Sequence, residues 1–130
     1  MKQLQPLSMS IVRVATGVLL GIHGWYRLVT GGFAGFGEYL AGSGIPLGRP
    51  LALVITLTEV VASACLITRR FVIPAAVAHA VILVCGIVMV HAREGWFVVG
   101  GGRNGVEYSV LLLLCLGAII QAERERGIKP

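Results

Sequence analysis

Four long apolar runs limit what this chain can fold into. They cover about Leu7 to Val29, Arg49 to Thr68, Phe71 to His91 and Val106 to Gln121. Each comes close to the roughly 20 residues that a helix needs to cross hydrocarbon, the second and fourth being a little short. Charged residues make up only 13% of the chain, against about 25% in a soluble domain. That is too little charge to cover the surface of a water-soluble fold, so lipid is the expected solvent. Pro74 falls near the start of the third run, where a proline ring disturbs a helix least. The expectation is an all-α fold: one integral membrane domain over residues 1–130, built as a bundle of four transmembrane helices.

The connections add detail. Between the first two runs stands TGGFAGFGEYLAGSGIPLG, with Phe33, Phe36 and Leu40 at i, i+3 and i+7. This spacing predicts a short amphipathic helix, interfacial or re-entrant, ended by the Gly-Ile-Pro turn. The loop from Ala92 to Gly105 contains GWFVVGGGRNG. Trp96 and Phe97 suit an interfacial anchor, and the glycines lack the GK[ST] ending of a phosphate loop. Lys2 and Arg13 before Val14 to Ile22 resemble the start of a signal peptide, but no A-x-A-like cleavage site follows. The run is therefore expected to stay as a helix. The three cysteines, Cys65, Cys85 and Cys115, sit singly inside apolar runs and read as small packing residues.

The net charge of +5 does not point to nucleic acid, because the basic residues sit at the ends of the apolar runs. Lys2, Arg69, Arg70, Arg124, Arg126 and Lys129 fall on the side of the termini. Arg27, Arg49, Arg93 and Arg103 fall on the other. The excess favours termini in the cytoplasm, and the expected location is a bacterial inner membrane.

Within this apolar background a few ionisable residues stand out. Glu59 lies in LTEVVAS near the middle of the second run. A charge there costs roughly 2.5–3.5 kcal/mol on insertion scales, so an intramembrane carboxylate is a functional candidate. In the first run Arg13, Thr16, Leu20, His23 and Arg27 form one stripe, with Gly17, Gly21 and Gly24 on the adjacent face. The Gly17–Gly21 spacing permits close approach of another helix. Thr56, Glu59 and Ser63 share a face, as do Ala75, His79, Leu83 and Gly86. On a common depth scale His23, Arg27, His91 and Glu107, with Tyr108 beside it, lie in the outer part, and Glu59 and His79 near the midplane. They can converge on one polar funnel that opens outward.

Glu59 beside His79 or His23 would form a proton-exchanging pair near neutrality. A quinone headgroup needs such a setting: hydrogen-bond donors for its two oxygens and a route for two protons. Each residue also has a plain structural role open to it. Glu59 can tie helices together, His79 can be a satisfied core histidine, His23 and Arg27 can snorkel, and Glu107 can cap its helix.

The pattern resembles the DoxX family of small four-helix membrane proteins. The resemblance rests on HGWYR at His23 to Arg27, F-x-x-F…G-I-P from Phe33 to Pro46, Glu59, the LITR end of the second run, His91 followed by Gly95 and Phe97, and Gly105-Val106-Glu107-Tyr108. Arg27 departs from the lysine that often follows the HG pair. It keeps the charge but donates as a rigid fork. The resemblance implies a link to membrane oxidoreductases, such as a thiosulfate:quinone oxidoreductase subunit or catechol and quinone detoxification systems. Other similar proteins accompany thiol-stress or peptide-modifying systems. The matching site positions are His23, Arg27, Glu59, His91 and Glu107; His79 is added from its placement alone.

The reading that joins these strands is a quinone-linked oxidoreductase or a subunit of one. Glu59 and His79 would be catalytic, and His23, Arg27, His91, Glu107 and Tyr108 would hold the quinone. No flavin or nicotinamide signature is present, so a redox partner protein or further subunits would supply electrons. The alternatives are a small-molecule or peptide transporter or receptor, a non-catalytic assembly subunit, and a b-type haem protein using two of His23, His79 and His91.

Overall fold

The computed structural model describes residues 6–101 and 103–128. It is all-helical among those residues: α1 Leu7–Thr30, α2 Phe33–Gly42, α3 Gly48–Thr68, α4 Val72–Met89 and α5 Glu107–Ile128, with a 3-10 turn at His91–Glu94. Proline and left-handed residues punctuate the chain. Pro50 and Pro74 stand in the first turns of α3 and α4, where a missing N–H costs no helical bond. Gly31 ends α1 in the left-handed region at φ 71°. Arg69 does the same for α3 at φ 61°, with Arg70 N–H donating back to the Cys65 carbonyl at 2.9 Å.

The four long helices close a ring. α1 packs on α3, α3 on α4, α4 on α5, and α5 returns to α1, while α2 lies against α3. The amphipathic spacing of Phe33, Phe36 and Leu40 thus yields the short helix expected of it. The core is small, centred on Leu66, Ala76, Leu116 and Ile119.

The outer surface differs from that of a soluble bundle, and several polar side chains are buried beside the apolar core. Buried positions include Arg13, Thr16, Thr56, Glu59, Ser63, His79 and Ser109. Outward faces carry Ile22, Val54, Val61, Val81, Val88 and Leu114, all largely exposed. Water would penalise that surface, and hydrocarbon accepts it. Three helices, α1, α3 and α4, are long and apolar enough to cross a membrane. α5 differs because Glu123, Arg124, Glu125 and Arg126 crowd its last turns and Glu107 opens it. Lys2 and Lys129, used above to orient the chain, lie outside the described residues.

Candidate functional site: a buried arginine–glutamate pair under a short helix

Glu59 lies at the seam between α1 and α3. The small face of α1 makes that seam possible. A methyl group on Gly24 would sit 2.9 Å from Glu59 Cβ and 3.1 Å from the Thr56 carbonyl. One turn inward, a methyl on Gly21 would meet Ser63 Cβ at 3.0 Å. Glycine therefore lets the two backbones touch along the polar stripe of α3.

The partner of the Glu59 carboxylate is Arg27, one turn further out on α1, and the two form a direct ion pair. The Glu59 side chain is 9% exposed and that of Arg27 is 22%. The pair is thus shielded yet open on its arginine side. Phe36 of α2 covers the guanidinium, its ring centroid 4.9 Å from Cζ, a cation–π contact. Arg27 Nε is buried and donates to nothing among the described residues. A buried N–H without an acceptor is costly, and an acceptor from outside could reach it only if the helices around it part.

α2 is fixed over this pair. Arg49, at the start of α3, bonds Glu38 of α2 at 2.7 Å. The α2–α3 contact is close enough that a methyl on Gly37 would lie 2.6 Å from Arg49 Cα.

His79 stands one turn inward from Glu59. It is 1% exposed, and its Nε2 shares a 3.1 Å hydrogen bond with Ser63 Oγ. The expected contact between Glu59 and His79 is therefore not formed. Arg27 takes the carboxylate, and Ser63 takes the imidazole.

The remaining candidates are dispersed. His23 is exposed on α1, one turn inward from Arg27. His91 donates from Nδ1 to the Asn104 carbonyl at 2.7 Å, where Asn104 is left-handed at φ 58°. Glu107 accepts from the Val98 N–H at 2.9 Å, and its own N–H donates to the Trp96 carbonyl at 3.0 Å. His91 and Glu107 thus brace the glycine-rich loop. No hydrogen bond or ion pair among the described residues joins either to Arg27 or Glu59. Tyr108 is exposed at the outer end of α5.

Sequence reading missed Phe36 as the partner of Arg27, although its helical spacing was visible. It also missed the role of Arg13. That guanidinium caps α3, donating to the Leu66 carbonyl and to the Ile67 carbonyl at 3.1 Å. The last carbonyls of a helix have no internal partner and carry its negative end, so a cation suits the place. Nearby, Glu123 of α5 bonds Arg69 at 3.3 Å and Arg126 at 3.4 Å.

Apolar outward faces, polar side chains held between helices and three helices long and apolar enough to cross a bilayer define a helical membrane protein. The DoxX family model matches residues 8–92, and the chain belongs to the DoxX family. The match takes in α1 to α4 with His23, Arg27, Phe36, Glu59, His79 and His91. It stops before Gly105 to Tyr108, the last part of the resemblance noted in the sequence. No curated protein and no solved structure matches the chain.

Proposed function

We propose that the chain is a membrane-embedded oxidoreductase or a subunit of one, handling a quinone or hydroquinone at the Arg27–Glu59 pair. In this reading α5 is a fourth span, both termini are cytoplasmic in a bacterial inner membrane, and a partner protein exchanges the electrons. The observation that carries the proposal is the pair itself: an ionised couple inside apolar helices, roofed by Phe36, with one guanidinium N–H left without an acceptor. A quinone oxygen is an uncharged acceptor that suits such a donor. Arg27 would hold the headgroup through Nε. Glu59 would take and release a proton at its carboxylate oxygen, with Arg27 holding the charged form in place. Phe36 offers an aromatic face beside the guanidinium. Ser63 and His79 sit one turn inward as the nearest hydroxyl and imidazole, and they would hand protons between the bundle interior and Glu59.

The haem alternative gains no specific feature from this geometry, in which the buried His79 has its Nε2 taken by Ser63. The transport and assembly alternatives gain no specific feature from it.

The test is a redox difference spectrum of the purified protein in detergent, with solvent extraction of the same sample. A quinone that co-purifies with the wild type and is lost from Glu59→Gln and Arg27→Gln supports the proposal. A Soret band, or equal quinone content in all three proteins, overturns it.

A further inference from the structure

A second site lies on the opposite face of α3 and owes nothing to the redox reading. It is a groove of about 630 Å³ between α3 and α4. Val54, Leu57, Val61 and Cys65 of α3 form one wall, and Pro74 and Ala78 of α4 form part of the other. Small residues at 74, 75 and 78 keep it open, since α4 presents little side-chain volume there.

Three observations say what fills it. First, its length: Val54 to Cys65 spans 11 helical steps, about 16 Å. That is half of the roughly 30 Å hydrocarbon core, the depth of one leaflet. A helix from a second copy would need a seam running through both leaflets. An acyl chain needs one. Second, the groove ends at Phe71, which lines it. Phe71 is 77% exposed and follows directly on Arg69 and Arg70 in the α3–α4 turn. Third, those two arginines are not equivalent. Arg69 is engaged with Glu123. Arg70 is exposed and forms no ion pair among the described residues. An apolar trough one leaflet long, with an uncompensated cation at its mouth, is complementary to an amphiphile with a negative head.

We infer that the α3–α4 groove binds an anionic phospholipid, one acyl chain lying between Val54 and Cys65 and the phosphate held by Arg70. Basic residues at the ends of spanning helices attract anionic headgroups over zwitterionic ones. Arg69 adds to the positive field at the groove's mouth and does not take the phosphate itself.

The test uses the full chain, delipidated in detergent and titrated separately with phosphatidylglycerol and phosphatidylcholine, with bound lipid counted by native mass spectrometry. The wild type should bind phosphatidylglycerol at least about fivefold more tightly. Arg70→Gln should lose that preference and still bind both lipids. Ala78→Phe, which fills the groove from its outward side, should lose the bound lipid of either kind. Arg93→Gln, a loop cation remote from the groove, should keep the wild-type preference. Circular dichroism checks that each variant keeps its helix content. Equal affinity for the two lipids in the wild type overturns the inference. So does a preference that survives Arg70→Gln or disappears with Arg93→Gln. A disulfide between two copies of a Val61→Cys variant whose three native cysteines are replaced by serine, in phosphatidylglycerol vesicles, would put a second protein molecule in the groove and overturn it too.

Discussion

Arg27 and Glu59 meet across the α1–α3 seam one turn out from the point where Gly24 and Glu59 are pressed together. The contact is both an ion pair and a consequence of tight backbone packing, and the two aspects can be separated by substitution.

Removing one partner should be worse than removing both. Arg27→Met leaves a shielded carboxylate without a cation, and Glu59→Leu leaves a guanidinium without an anion. Loss of one member of a buried pair costs roughly 3–5 kcal/mol, while replacing both by apolar residues is often close to neutral. The partial exposure of Arg27 puts the expected loss at or below the lower end of that range. Unfolding titrations in detergent of Arg27→Met, Glu59→Leu and the double variant would check this. A double variant as unstable as the sum of the singles contradicts it.

Gly24→Ala should loosen the seam even though alanine is the better helix former. Its Cβ would meet Glu59 Cβ at 2.9 Å and a backbone carbonyl at 3.1 Å, so α1 or α3 must shift. Overpacking of this sort costs about 1–3 kcal/mol. Gly117, whose added methyl meets nothing within 4 Å, is the matched control on α5. Melting temperatures should fall for Gly24→Ala and not for Gly117→Ala.

Arg13 should prove structural. Arg13→Met would leave the Leu66 and Ile67 carbonyls without their donor at the end of α3. Leaving a buried acceptor unsatisfied costs about 1–3 kcal/mol. Quinone content per folded molecule should stay at the wild-type level while thermal stability drops. A selective loss of quinone with unchanged stability would move Arg13 into the site.

Phe36 should matter through its ring. The cation–π contact to Arg27 accounts for about 0.5–2 kcal/mol. Phe36→Tyr should retain it, and Phe36→Leu should lose it while keeping most of the apolar bulk. Hydrogen exchange of α2 amides should quicken in Phe36→Leu alone.

Ser63→Ala should strand the His79 imidazole in the core, at a cost of about 1–3 kcal/mol. Ser63→Ala combined with His79→Leu should recover part of that loss. Thermal unfolding of the single and double variants decides the matter; a double variant less stable than Ser63→Ala shows that His79 has another partner.

The apolar runs and the amphipathic spacing of α2 were legible because hydrophobic periodicity is a local property of the chain. So was the glycine face of α1, and so was the list of intramembrane charges. The pairing of those charges was not. Depth along a span can be counted from sequence, which puts Glu59 and His79 at similar levels. Rotation about the helix axis decides which neighbour each one meets. α1 brings Arg27 to Glu59 because its glycines let the two backbones touch, and α3 turns Ser63, one turn inward from Glu59, toward α4. The loop bonds of His91 and Glu107 were hidden for another reason. They depend on Asn104 taking a left-handed conformation and on a backbone path that no periodicity describes. The capping role of Arg13 was accessible in principle, since a helix end always leaves carbonyls to satisfy, but its position in the middle of an apolar run made it read as part of a polar stripe.

The two arginines of α1 together do something that neither does alone. Arg13 is fastened to the last carbonyls of α3 and Arg27 to Glu59, 14 helical steps or about 21 Å further along. Two fixings at that separation forbid α1 both to slide along α3 and to pivot against it. The pair is mechanically a single plank. Between α1 and α5 the outer half has no such fastening among the described residues, whereas Glu123 ties α5 to the α3 turn at the inner end. Thermal opening of the ring should therefore behave like a door hinged at the inner face, with its free edge along the outer half of α1, where His23 already stands exposed.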